Sequence, residues 1–140
     1  MKKLLLVLIL SISSFASYAI ENEDYYSKKF CNEMSGQPKY HLKDLSSNGE
    51  EITSSYPDCL TDTHVFEVDW AEGMKVYEAI GQSLYYSSVS GKKPGILLLI
   101  RKENSEKHIE KVQKVNKFHD LGIRIMTLNI TTEEISELSE

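Results

Sequence analysis

The chain has 140 residues, 16 of them basic and 21 acidic, with a formal charge of −5 and 41% apolar side chains. This length supports one hydrophobic core. The acidic balance excludes a non-specific nucleic-acid binder that works by bulk charge, because such a surface repels polyanions at long range.

Lys2 and Lys3 precede an apolar run at 4–12, and a stretch of small and polar residues then ends at Ala19. Small residues at Ser17 and Ala19 suit signal-peptidase cleavage before Ile20, which makes 1–19 a signal peptide. The apolar run is well short of the ~20 residues that span a bilayer, so an uncleaved anchor is the weaker reading. No cysteine follows the run closely enough for a lipoprotein. Residues 20–140 then form a single domain, and loss of Lys2 and Lys3 leaves 14 basic against 21 acidic residues, a charge of −7. The expected location is periplasmic or secreted.

The pattern predicts a helix over 24–34, ended by Ser35 and Gly36, and a strand over 39–45. A turn at 46–49 leads to a strand over 51–60 and a third over 64–70, together a meander. A helix follows over 71–88. The run 95–100, Gly-Ile-Leu-Leu-Leu-Ile, is apolar throughout, as in a strand covered on both faces. A helix over 105–120, a strand over 123–130 and a last helix capped by Thr131 and reaching 138 complete the order. Strand, crossover helix and strand in the second half require parallel pairing, so the sheet is mixed.

Cys31 and Cys59 are the two cysteines. In an oxidising compartment they form a disulfide, and in its absence they are two buried thiols.

Alternate residues of a strand share a face. Val65, Glu67 and Asp69 therefore lie on one side of 64–70, with Phe66, Val68 and Trp70 on the core side. Two carboxylates so spaced repel each other unless a cation sits between them. Asp58, on the preceding strand, lies beside them, and three converging carboxylates make a hard-oxygen site suited to Mg2+ or Mn2+. Cys59 points to the opposite face. On the next helix Lys75, Glu78, Gln82 and Tyr86 are spaced 3, 4 and 4, so they stack on one face beside an apolar stripe of Val76, Ile80 and Leu84. The short link from Asp69 brings Lys75 towards the carboxylates.

Tyr56-Pro57-Asp58 followed by Glu67-Val68-Asp69 resembles the signature of the PD-(D/E)XK, or restriction-endonuclease-like, nuclease superfamily. Gln82-Ser83-Leu84-Tyr85-Tyr86 is similar to the Q-x-x-x-Y motif of its RecB-type branch. The resemblance implies an α/β three-layer fold with an αβββαβ core and a mixed sheet flanked by helices. It also implies phosphodiester hydrolysis in DNA or RNA. Asp58 and Glu67 would hold Mg2+ (or Mn2+), with Asp69 direct or through water, and Gln82 and Tyr86, with Glu78, would position substrate. Where the family carries its lysine this chain has Asp69, and Lys75 is the candidate for a lysine moved onto the helix. If Lys75 does not reach, the chain is an inactive nuclease-fold binding module. A third reading is a structural periplasmic protein whose polar stripe is only surface.

Other residues have plainer readings. His41, His108 and His119 lack zinc spacing, and His64 sits solvated at a strand end. Lys107, Lys111, Lys114 and Lys117, balanced by Glu106 and Glu110, read as a solvated helix face, as an alternative to guiding DNA. Trp70 and the tyrosines at 25, 26, 77 and 85 read as packing groups.

Overall fold

The computed structural model describes residues 22–138; the signal-peptide reading and its cleavage site lie outside them. Asn22 accepts the N–H of Asp24 at 2.9 Å and so caps α1, Glu23–Glu33. The chain continues through β1 (Gln37–Pro38), β2 (Leu42–Leu45), β3 (Glu51–Ser55), β4 (Cys59–Leu60) and β5 (His64–Trp70). Then come α2 (Lys75–Ser90), β6 (Lys93–Ile100), a 3-10 turn at Glu103–Ser105, α3 (Glu106–His119), β7 (Arg124–Asn129) and β8 (Glu134–Glu137).

Six strands form one mixed sheet in the order β1-β4-β5-β6-β7-β8. β5, β6 and β7 run parallel, joined by α2 and α3, and the flanking pairs are antiparallel. Helices cover both faces. Phe30 and Cys31 of α1 pack on Phe66, Val68, Trp70, Leu97 and Leu99. On the other face Val76, Ala79 and Ile80 of α2 and Ile109 and Val112 of α3 pack on Ile96, Leu98 and Ile125. β6 contributes to both clusters, which accounts for its unbroken apolar run. Gly95 is required where β6 faces Phe66, since a side-chain carbon there would overlap the aromatic ring.

The expected meander is not formed. The segment 51–60 breaks after Ser55: β3 pairs only with β2, as a separate two-stranded sheet, and the chain rejoins the main sheet at Cys59. β3 is exposed along nearly its whole length and offers no apolar face to the core. The helix expected from 71 begins at Lys75, because the chain first turns through Gly73, whose φ is +54°.

The last helix is also corrected to a strand. Thr131 does not cap a helix; its N–H, with that of Thr132, is accepted by the Asn129 side chain. This turn reverses the chain, so that Ile135 pairs with Leu128 and packs against the α1-side core. Arg124 then grips Glu137 through two hydrogen bonds, of 2.9 and 2.7 Å. Among the described residues no helix is long and apolar enough to cross a membrane.

Candidate active site

The Cys31–Cys59 disulfide ties α1 to β4 from the core side. Asp58 is thereby turned the other way, towards the face that α2 covers. One step beyond the registered pair Cys59–Phe66, it stands across from Glu67. Val65, Glu67 and Asp69 share that face, with Val65 packed against Tyr86 of α2. All three carboxyl side chains are buried, with relative exposures of 5% for Asp58, 8% for Glu67 and 3% for Asp69. Solvation therefore does not account for them.

β4 begins only at Cys59, opposite Phe66, which leaves the outer edge of β5 without a strand beside its last residues. The free N–H groups there are taken up by carboxylates. Asp58 Oδ2 accepts the Val68 N–H at 2.8 Å, and Asp69 Oδ1 accepts the N–H of Trp70 at 2.8 Å. Carboxylates thus finish the sheet edge and gather at one place on it.

Two lysines reach this cluster from opposite sides. Lys75 Nζ lies 3.7 Å from Asp69 Oδ1 and 3.4 Å from Glu78, so the expected approach of the helix lysine is observed. Its charge is reinforced first by Asp69 and then by Glu78. Lys39, on the turn after β1, pairs with Asp58 Oδ1. Against the burial that opposes its charge, the hydrogen bond and charge of Asp58 hold Lys39 above the ordinary lysine value.

Glu67 forms no ion pair among the described residues. Burial, with the negative charge of Asp58 and Asp69, pushes its carboxyl up to about 9, so it holds a proton at neutral pH. Burial raises Asp69 as well, partly offset by the Trp70 N–H and Lys75. Glu23, in the first turn of α1, shares a hydrogen bond with Asp69; burial and the charges of Asp69 and Asp58 raise it to about 7. Tyr86 is buried and pushed up to about 12 by burial and by the charges of Glu67 and Asp58, with Gln82 hydrogen-bonded to it.

Of the residues singled out from sequence, Asp58, Glu67, Asp69, Lys75 and Tyr86 come together. Gln82 touches the site through Tyr86, and Glu78 faces solvent and meets it only through Lys75. Among the described residues no group of three or more His, Cys, Asp or Glu side chains has an arrangement that could hold a metal ion. Asp58 is engaged by Lys39 and Val68, and Asp69 by Trp70, Glu23 and Lys75. The pair Asp58 and Glu67 nonetheless fits a divalent ion in donor chemistry. Both offer hard carboxylate oxygens from adjacent strands, and the raised Glu67 carboxyl marks a place short of positive charge.

Sequence reasoning missed Glu23 and Lys39. The Cys31–Cys59 pair was the one available signal, since it brings α1 and the chain after it near Asp58; the β1–β4 pairing then places Lys39. Comparison with protein-family models, with curated proteins and with solved structures found no match.

Proposed function

We propose that the chain is an exported, Mg2+- or Mn2+-dependent nuclease-like phosphodiesterase with a restriction-endonuclease-like fold of the PD-(D/E)XK kind. The observation that carries this reading is the juxtaposition of Asp58, the residue before β4, with Glu67 of the adjacent antiparallel β5, both buried and both acting on Tyr86 of the following helix. The order around them agrees: a helix, an antiparallel pair bearing the carboxylates, a helix with Gln82 and Tyr86, then a strand parallel to the second of the pair. The disulfide agrees with export to an oxidising compartment.

Asp58 and Glu67 would hold the ion, Glu67 in its ionised form. When bound, the ion would supply Lewis-acid polarisation of a phosphoryl oxygen and an acidified water. Lys75, steered by Asp69, offsets charge that builds on the phosphate and orients the attacking water. Asp69 stays on the Trp70 N–H and acts by holding Lys75 and Glu23. Tyr86 and Gln82 form the inner wall against which a nucleotide is positioned. Lys39 and Lys75 stand beside a cluster that remains acidic, and a bound ion would add the positive charge that lets DNA or RNA approach there.

One observation favours a second reading, an inactive nuclease-fold binding module. Lys75 is half-exposed and divided between Asp69 and Glu78, while Asp58 already has a cation in Lys39. Incubation with fluorescent single- and double-stranded oligonucleotides in Mn2+ separates the two. Cleavage that Glu67→Gln abolishes supports the enzyme; retention of substrate without cleavage supports the module.

A further inference from the structure

Lys39 is placed with unusual definition for a surface lysine. β1 pairs with β4 through Gln37–Leu60 and Pro38–Cys59, so the next rung puts Lys39 beside Asp58. The Lys39 N–H donates to the Asp58 carbonyl at 3.4 Å, and its φ of +50° turns the chain out of the strand at that point. The ammonium then reaches Asp58 Oδ1, while Asp58 Oδ2 is on Val68. Lys39, Asp58 and Glu67 thus lie in one row across the sheet, one residue beyond the β1–β4 and β4–β5 pairs. The disulfide fixes the rung from behind, since Gly36 lies against both sulfurs with no room for a side-chain carbon.

The Asp58 oxygen that Lys39 covers is the free one. An ion held by Asp58 and Glu67 would bind most readily at that oxygen, since the other already accepts the Val68 N–H. We propose that Lys39 is a tethered counter-cation that occupies the metal's position on Asp58, so that a divalent ion binds only by displacing it. The inference rests on the metal reading above and deepens it: Lys39 sets the ion concentration at which the site loads. Lys75 has no such role, because it pairs with Asp69 and not with Asp58. Removing a competing charge-assisted hydrogen bond raises the affinity of the remaining ligand on the order of tenfold.

Calorimetric titration of Mn2+ into the disulfide-intact protein tests this. Wild type is compared with Lys39→Met, Lys39→Arg, Lys75→Met and Asp58→Asn, and circular dichroism verifies that each is folded. Lys39→Met is expected to bind Mn2+ roughly tenfold more tightly than wild type. Lys39→Arg, which keeps the charge and the pair, stays near wild type, Lys75→Met shifts much less than Lys39→Met, and Asp58→Asn loses binding. Equal or weaker binding by Lys39→Met, with binding still lost in Asp58→Asn, overturns the role of Lys39 and leaves the metal site standing. Absence of binding in both wild type and Lys39→Met, or unchanged binding in Asp58→Asn, overturns the metal reading itself.

Discussion

The carboxylate of Asp58 accepts the main-chain N–H of Val68 at 2.8 Å, ten residues along the chain and on the neighbouring strand. One side chain therefore completes the hydrogen bonding of β5 beyond the reach of β4 and also faces the candidate site. Structural and chemical roles are separable here by choice of substitution. Asp58→Ala leaves a buried N–H unpaired and is expected to cost about 1–3 kcal/mol. Asp58→Asn keeps an acceptor for the Val68 N–H, so urea denaturation should find it the more stable of the two. Both should lack metal-dependent activity.

The raised carboxyls make the stability of the metal-free protein depend on pH. Glu67 at about 9 and Glu23 at about 7 bind protons more tightly folded than unfolded. Their contribution is fully present below the unfolded value of 4.5 and is lost as pH rises through the folded values. His64 and His108, both lowered chiefly by burial, act in the opposite sense near their ordinary 6.5. The clean window therefore lies between pH 7 and 9. In EDTA the melting temperature should fall across that window, and Glu67→Gln should flatten the fall. A melting temperature that rises from pH 7 to 9 would contradict the burial of an unpaired Glu67.

The disulfide closes a separation of 28 residues, for which chain entropy gives roughly 3–4 kcal/mol. Its reduction frees α1 from β4 and with it the placement of Glu23, Lys39 and Asp58. Dithiothreitol should lower the urea midpoint by a corresponding amount and abolish activity before the sheet unfolds. Near-ultraviolet circular dichroism and a cleavage assay on the same samples check this.

Gly95 abuts the ring of Phe66 across the β5–β6 pair. Gly95→Ala should destabilise the protein by about 1–3 kcal/mol through overpacking. The same change at Gly81, where added bulk meets nothing, should be neutral or stabilising. Thermal melts of the two variants make the comparison.

Much of the frame was legible in the sequence because its signals are local or periodic. The alternation of 64–70 fixed which side chains of β5 face the core, and the unbroken apolar run at β6 marked a strand covered on both faces. The spacing of Lys75 and Tyr86 put both on the site side of α2. Three features depend on tertiary context and were not legible. β3 leaves the sheet because nothing apolar holds it there. β8 is a strand because Asn129 turns the chain and Leu128 offers Ile135 a partner. Glu23 and Lys39 reach the site through contacts between distant segments, the packing of α1 and the β1–β4 pairing with the disulfide behind them, and neither lies in a motif. Glu67 and Asp69 stood out because acidic residues on a central strand demand a partner. Which cation answers each carboxylate is decided by three-dimensional placement.

The central claim is that Asp58 and Glu67 form a metal-dependent phosphodiesterase site with Lys75 at its rim. The most direct measurement incubates the disulfide-intact protein with single- and double-stranded DNA and RNA in Mg2+, Mn2+ or EDTA, beside Asp58→Asn and Lys75→Ala. The account expects cleavage with either ion, none in EDTA or Asp58→Asn, and a rate lower by roughly 10–100-fold in a normally folded Lys75→Ala. No cleavage of any substrate by the folded wild-type protein, or cleavage that persists in Asp58→Asn, would contradict it.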